Sequence, residues 1–488
     1  MKIQGILDKS PIVLNNLAVV DGAKEISYKE LRRLSNEVAQ HVLERWGAGN
    51  NIALHFERSA AYIVCYFGVL ISGNRIVPID TSLMPGEINQ VIDFCDVSII
   101  LTNCSSNNAY DHCDVVIVEI DVSISLELDI RIRNQVEISK PSTFPEADYC
   151  ILLPTSGTSK SPKRVMHSHA NILQNASMHI ESLGLRADDR TVIALPMGFG
   201  YCNTAQIVTS LMLGGTIVIQ SGLFSPSRFF SLVEKYRATT FTAVPSMLNS
   251  LLASNAIARY NMESLRYIII GGSRLPIERI DTFQKRFPNH CRLVQTYGLT
   301  EAGPRITTNI VDYQDKHCYS AGKPLTGIGV SIIGDAGNVI TEGDVGQIVV
   351  NTPTRMMGYY KNQDDTLDCL RGSELYTGDL GYIEDNNLYV IGRQKNILIH
   401  CGRKILPEEI EMCINELDFV VECRVYGEAQ EDGEDHVIAQ VVIRSEVNSP
   451  KEQVQAHCRN SLSPYKLPKR IEVVDRLPKT YNGKLLRW

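Results

Sequence analysis

Behind Ser27 the apolar residues Leu31, Leu34, Val38, Val42 and Leu43 recur at helical spacing. Ser27 and Glu30 stand three apart, the spacing of a capping box that satisfies two otherwise orphaned donors at a helix start. A strand at 52–56, an apolar helix at 60–71 and a strand at 75–78 follow. The rhythm then returns: helices at 170–183, 204–213, 226–236, 246–254 and 276–286 interleave with strands at 191–194, 216–219, 240–243, 267–270 and 292–295. Such alternation predicts an α/β fold with parallel-type sheets flanked by helices, in which ligands collect beyond the carboxyl ends of the strands.

After Gly303 the texture changes. Turn signals at Gly327, Gly334-Asp335-Ala336-Gly337, Gly343-Asp344 and Asp385-Asn386-Asn387 separate short strands. They predict a small β-rich subdomain over 304–391, inside an N-terminal domain of 1–391. A hinge at 392–396 and a small C-terminal α/β domain at 397–488 complete the expected organisation.

Charge narrows the partners. The 488 residues carry a net charge of -7 without a basic arm or patch, which argues against nucleic acid or an anionic membrane surface. The strongest apolar run, 61–71, is too short to span a bilayer, and the opening MKIQGILDKSPIVL lacks a charged-then-apolar signal pattern. A cytoplasmic protein is expected. Its 13 cysteines include no C-x-x-C pair, so they read as reduced core residues, and no zinc constellation stands out. His167 and His169 read as hydrogen-bonded loop histidines more readily than as half of a metal site.

The chemistry begins where an apolar strand ends in Thr155-Ser156-Gly157-Thr158-Ser159-Lys160-Ser161-Pro162-Lys163. Hydroxyls, a glycine that admits close backbone approach and two lysines suit a polyphosphate. The P-loop pattern fails, because Pro154 stands where its first glycine belongs and Ser159 precedes Lys160. Instead the segment resembles the Thr-Ser-Gly-Thr-Thr-Gly-x-Pro-Lys loop of the adenylate-forming (AMP-binding) superfamily, which includes acyl- and aryl-CoA synthetases and stand-alone adenylation enzymes. Lys160 and Arg164 depart from that pattern by replacing glycines.

Further segments resemble the same superfamily in the same order: Gly271-Gly272-Ser273, Tyr297-Gly298-Leu299-Thr300-Glu301, Thr377-Gly378-Asp379, Gly392-Arg393-Gln394-Lys395 and Pro478-Lys479-Thr480-Tyr481-Asn482-Gly483-Lys484. The resemblance implies an ATP-dependent carboxylic acid ligase that makes an acyl adenylate and pyrophosphate and then passes the acyl group to a thiol. Lys484, Thr300 and Glu301 would be catalytic, with Glu301 holding Mg2+. ATP or AMP would be bound by Thr155, Ser156, Gly157, Thr158, Lys163, Gly272, Ser273, Tyr297, Thr300, Asp379, Arg393 and Lys484. Lys395 would sit at the hinge, and the face 397–405, with Gly402, would meet the incoming thiol, where Ile399 replaces a lysine found in many relatives.

The acid-binding segment is expected just after Pro196, with Phe199, Gly200, Tyr201, Gly271 and Gly298 lining the pocket. No aspartate lies between Pro196 and Leu213, so the ammonium of an α-amino acid would lack a counter-charge. An aromatic or medium apolar acid is expected. The acceptor is CoA or the phosphopantetheine of a carrier protein. The alternatives are a stand-alone enzyme that activates an amino acid and a non-catalytic nucleotide- or acyl-binding homologue; retention of Lys484 and Glu301 speaks against the second.

Overall fold

The computed structural model describes residues 2–9, 11–104, 110, 114–134, 136, 148–155, 163–271, 275, 277–400, 403–429, 435–444 and 447–478. Ser27 caps the helix Tyr28–Trp46 as its spacing requires: its hydroxyl accepts from the Glu30 N–H, and its own N–H donates to Glu30 Oε2 at 2.9 Å. The next helix, Ala60–Ile71, is apolar all round and buried from Ala60 to Leu70. A helix without a polar face belongs inside. Its side chains join one core with residues of both large sheets, and Gly68 lies against Val38 of the capped helix.

One large sheet has nine strands. At its centre lie Tyr267–Gly271, Thr240–Ala243, Arg190–Ile193, Thr216–Ile219 and Leu17–Asp21, all parallel, with Arg292–Tyr297 parallel beyond them. The other has eight strands, with Arg75–Pro78, Asn51–His55, Val97–Thr102 and Val116–Val122 parallel at its centre. Both sheets are mixed, and here the structure refines the expectation of parallel-type sheets. Where short turns replace crossover helices, as from Leu17–Asp21 to Lys24–Ser27 and from Val116–Val122 to Leu128–Ile132, the chain returns antiparallel at an edge.

A third, antiparallel sheet combines Gly329–Ile333, Gly346–Asn351, Glu374–Glu384, Leu370–Arg371 and Asn387–Arg393 around its own small core. The C-terminal part has a hairpin, Leu398–His400 with Arg403–Ile405, and a three-stranded sheet of Val420–Ala429, Asp435–Ile443 and Arg470–Val473. The helices Pro407–Asn415 and Pro450–Ser461 cover it around a separate core that includes Ile410, Val425 and Val454. No helix among the described residues is long and apolar enough to cross a membrane.

The helix expected at 204–213 starts earlier. The chain is helical from Gly200 to Leu213, and Asn203–Val208 forms a π-helical stretch in the middle. The residues expected to bind the acid stand immediately before this wider turn.

Candidate active site

Three strands end at one place: Ile151–Pro154, Tyr267–Gly271 and Arg292–Tyr297. Gly200 and Tyr201, opening the helical stretch, pack onto those ends. Tyr201 Oη and Thr296 Oγ1 are hydrogen-bonded at 3.2 Å, and the Tyr201 ring meets Phe199 edge-on with centroids 6.2 Å apart. A Cβ on Gly271 would stand 2.7 Å from Tyr201 Oη, and one on Gly298 only 1.6 Å from the Pro304 carbonyl oxygen. Close approach therefore dictates both glycines. A Cβ on Gly200 would meet Leu153 and Thr300 at 3.4 Å, so the expected acid-binding residues reach the threonine expected to act on the phosphate.

On the other side of Thr300 the polar groups form a chain. Tyr297 Oη donates to Asp379 Oδ2 at 2.8 Å, and Arg393 Nε donates to Asp379 Oδ1 at 2.8 Å. The pairing is built into the backbone, because Asp379 and Arg393 are direct neighbours across two antiparallel strands. Burial and the Asp379 charge push the Tyr297 phenol well above its ordinary pKa, so it stays a donor. Asp379 also raises Arg393, which remains a cation. Each Asp379 oxygen keeps a lone pair for a further donor, such as a ribose hydroxyl.

Thr300 opens a single turn, Thr300–Ala302, whose carbonyl at Thr300 accepts from His167 Nε2 at 2.7 Å. Burial lowers His167 to about 4, so the ring is neutral and its Nε2–H donates. Glu301 Oε1 accepts from Tyr359 Oη at 2.8 Å, and the Glu301 carbonyl accepts from the Met356 N–H at 2.7 Å. One carboxylate held this way fits a magnesium ion that takes most of its other ligands from phosphate and water. Lys163 lies 5.4 Å from the centroid of the Tyr359 ring and forms an ion pair with Asp365 at 2.6 Å. The strands flanking the hydroxyl-rich loop pair antiparallel, and the Thr155 N–H donates to the Lys163 carbonyl at 3.3 Å.

The chain matches the AMP-binding enzyme family over residues 13–360 and its C-terminal domain over 409–484. It belongs to the AMP-binding enzyme family. A 3-hydroxybenzoate–CoA ligase of Aromatoleum sp. is 26% identical over 96% of this chain and 92% of the relative. A 2-succinylbenzoate–CoA ligase of Bacillus licheniformis is 28% identical over 98% of this chain and 97% of the relative. The crystal structure of the anthranilate CoA ligase AuaEII in complex with anthranoyl-AMP superposes with a TM-score of 0.87 at 22% identity, covering 99% and 95% of the two chains, and shares the fold.

Several expected features of this AMP-binding enzyme fall elsewhere. Ser156, Gly157, Thr158, Lys160, Gly272, Ser273, Gly402 and Lys484 lie outside the described residues. Arg164 is buried and donates through Nη1 to the Pro78 carbonyl at 2.9 Å, tying two strands together. Lys395, expected at a hinge, is exposed, yet partial burial and the nearby charges of Arg393 and Lys163 lower its pKa, against the opposing pull of Asp379 and Glu301. His167 and His169 are both hydrogen-bonded, His169 Nδ1 accepting from the Ile3 N–H at 3.3 Å.

No local pattern marks Tyr359 and Asp365, which meet Glu301 and Lys163 only through folding. Nor does one single out Arg305, buried under Tyr201 with its guanidinium carbon 4.0 Å from the ring centroid. Where no zinc constellation stands out in the sequence, folding brings ligand atoms of Cys413 and Glu416, three residues apart, and of His457 within 4.8 Å of one another.

Proposed function

We propose that this chain joins a carboxylic acid to the thiol of CoA through an acyl adenylate, and that its acid is aromatic or medium apolar. The chain is an AMP-forming acid–thiol ligase by its kinship with ligases and synthetases of that kind. One observation carries the reading: Tyr297, Asp379 and Arg393 form one hydrogen-bonded group beside Thr300, Glu301 and Lys163 at the strand ends. CoA is preferred to a carrier protein's phosphopantetheine because the relatives are named CoA ligases, and an aromatic acid is supported by relatives named for 3-hydroxybenzoate and ferulate.

In the first step a carboxylate oxygen of the acid attacks the α-phosphorus of ATP, the bond to the β-phosphate breaks, and pyrophosphate leaves. No general base is needed, because the acid is already ionised near neutral pH. What the step requires is positive charge and donors around a crowded phosphorus. Lys484 and Thr300 supply them at the α-phosphate, Thr155 to Lys163 hold the departing pyrophosphate, and Asp379 with Arg393 holds the ribose. Magnesium on Glu301, when bound, neutralises phosphate charge.

In the second step the thiol sulfur attacks the adenylate carbonyl and AMP leaves. The C-terminal domain, 397–488, turns about the hinge at 392–396, withdraws Lys484 and presents 397–405 to the thiol.

The test is product analysis with ATP, magnesium and a panel of aryl, fatty and amino acids, using hydroxylamine to trap the adenylate. Hydroxamate and pyrophosphate are expected from an aryl or medium apolar acid and are lost in Lys484→Ala, while added CoA yields the thioester. Pyrophosphate from amino acids alone, or a thioester formed only on a carrier protein, would overturn the corresponding part of the reading.

A further inference from the structure

Among the described residues that are fully buried, Arg305 has the largest side chain, with 1% of its surface exposed. Its Nη1 donates to Thr296 Oγ1, and the Tyr201 ring covers one face of the guanidinium. Among the described residues Nε and Nη2 have no hydrogen-bond partner, and no carboxylate pairs with the guanidinium. A guanidinium does not shed its proton in a protein, so burial leaves a full, uncompensated charge, which is among the costlier arrangements a fold can hold.

The charge does nothing for the backbone around it. The Arg305 N–H and carbonyl are both held by the Asn175 side chain, at 3.1 and 2.9 Å, and would be so with any side chain at this position. Beside it His179 is buried with neither ring nitrogen partnered. Burial, with the Arg305 charge, drives His179 far below its ordinary pKa and keeps it neutral.

The place is what gives the unpaired charge meaning. Tyr201 bonds Thr296 and stands over Gly271, so Arg305 lies directly beneath the residues assigned above to the acid. Nε and Nη2 lie on one edge of the guanidinium and point the same way, the arrangement that binds both oxygens of a carboxylate. The Tyr201 ring lies on the face and not on that edge, where both nitrogens are buried and unpartnered among the described residues.

We propose that the acid activated here carries a second carboxylate, which docks on the Nε–Nη2 edge of Arg305 while the first faces the α-phosphate. The proposal rests on the ligase reading above and sharpens it: the substrate is a dicarboxylic acid with an aromatic or apolar body. Arg305 is then a specificity residue that excludes neutral acids, because they would leave its charge buried and unpaired.

The experiment pairs probes: benzoate against the benzene-1,2-, 1,3- and 1,4-dicarboxylates, 3-phenylpropanoate against 3-(2-carboxyphenyl)propanoate, and hexanoate against hexanedioate. Each is tested by the hydroxylamine assay in wild type, Arg305→Met and Arg305→Lys. At least one dicarboxylate should exceed its monoacid by about 100-fold in kcat/KM. Arg305→Met should remove that preference through KM with little change in kcat, and Arg305→Lys should restore part of it. Preference for a monoacid, with the ratio unchanged in Arg305→Met, would overturn the proposal and leave the ligase reading intact. Absence of hydroxamate from every acid would instead count against the ligase reading, and thermal shift then decides on Arg305. Stabilisation by a dicarboxylate in wild type but not in Arg305→Met supports its role; no stabilisation by any probe overturns it. Without acid, Arg305→Met should melt no lower than wild type, and a marked drop with unaltered selectivity would assign Arg305 to the fold alone.

Discussion

Asp379 is the residue on which the proposed nucleotide side of the site turns, since Tyr297 and Arg393 each hold one of its oxygens at 2.8 Å. Asp379→Asn keeps the volume but gives up the charge and one acceptor. The KM for ATP should rise about 10- to 100-fold in pyrophosphate release, because hydrogen bonds to charged groups are the strong ones. Gly298 fails for a different reason: a Cβ 1.6 Å from the Pro304 oxygen cannot be accommodated without moving backbone. Gly298→Ala should cost about 3 kcal/mol of stability, visible as a lower Tm, together with activity. His167 makes stability depend on pH. Burial holds it at about 4 in the folded chain against 6.5 when unfolded, so below pH 6.5 the unfolded chain binds the extra proton. Its contribution is complete above pH 6.5 and is lost as the pH falls toward 4, at about 1.4 kcal/mol per pH unit. Melting curves at pH 7 and 5 should show a fall in Tm that is smaller in His167→Gln, whose amide can still donate to Thr300.

Among the elements, the capped helix Tyr28–Trp46 is the one most plainly written in the chain: Ser27 and Glu30 exchange their hydrogen bonds, and the Leu31, Leu34, Val38 and Val42 stripe is buried. Ser27→Ala should cost about 1 kcal/mol, measured by thermal or urea unfolding, with catalysis unchanged. Strands and helices with a strong local pattern, such as Arg75–Pro78, Thr216–Ile219, Pro226–Tyr236 and Thr240–Ala243, fall where periodicity puts them. The helical stretch from Gly200 was legible only from Thr204 onward. Its first turn is Gly200, Tyr201 and Cys202, which carry no amphipathic signal, and its π-helical middle is held by packing between sheets rather than by propensity.

Over the whole molecule the proposed hinge at 392–396 yields a separate prediction. A rigid φ at Lys395 should let the adenylate form but hinder the turn that admits the thiol. In Lys395→Pro, acyl hydroxamate should persist while acyl-CoA falls by more than about tenfold. The same scale explains what the chain determined alone. Alternating periodicity fixed an α/β architecture, because a strand and a helix each declare which face they bury within a few residues. Ordered motifs pointed to Thr155, Lys163, Tyr297, Thr300, Glu301, Asp379 and Arg393, because a phosphate or ribose contact needs particular side chains on particular turns. Tertiary structure alone decided that Tyr359 meets Glu301, that Asp365 meets Lys163, that Arg164 turns inward to Pro78, and that Arg305 lies uncompensated under Tyr201. Those outcomes depend on contacts between segments far apart in the chain, where charge and burial are set by what folding brings alongside, and no local pattern encodes them.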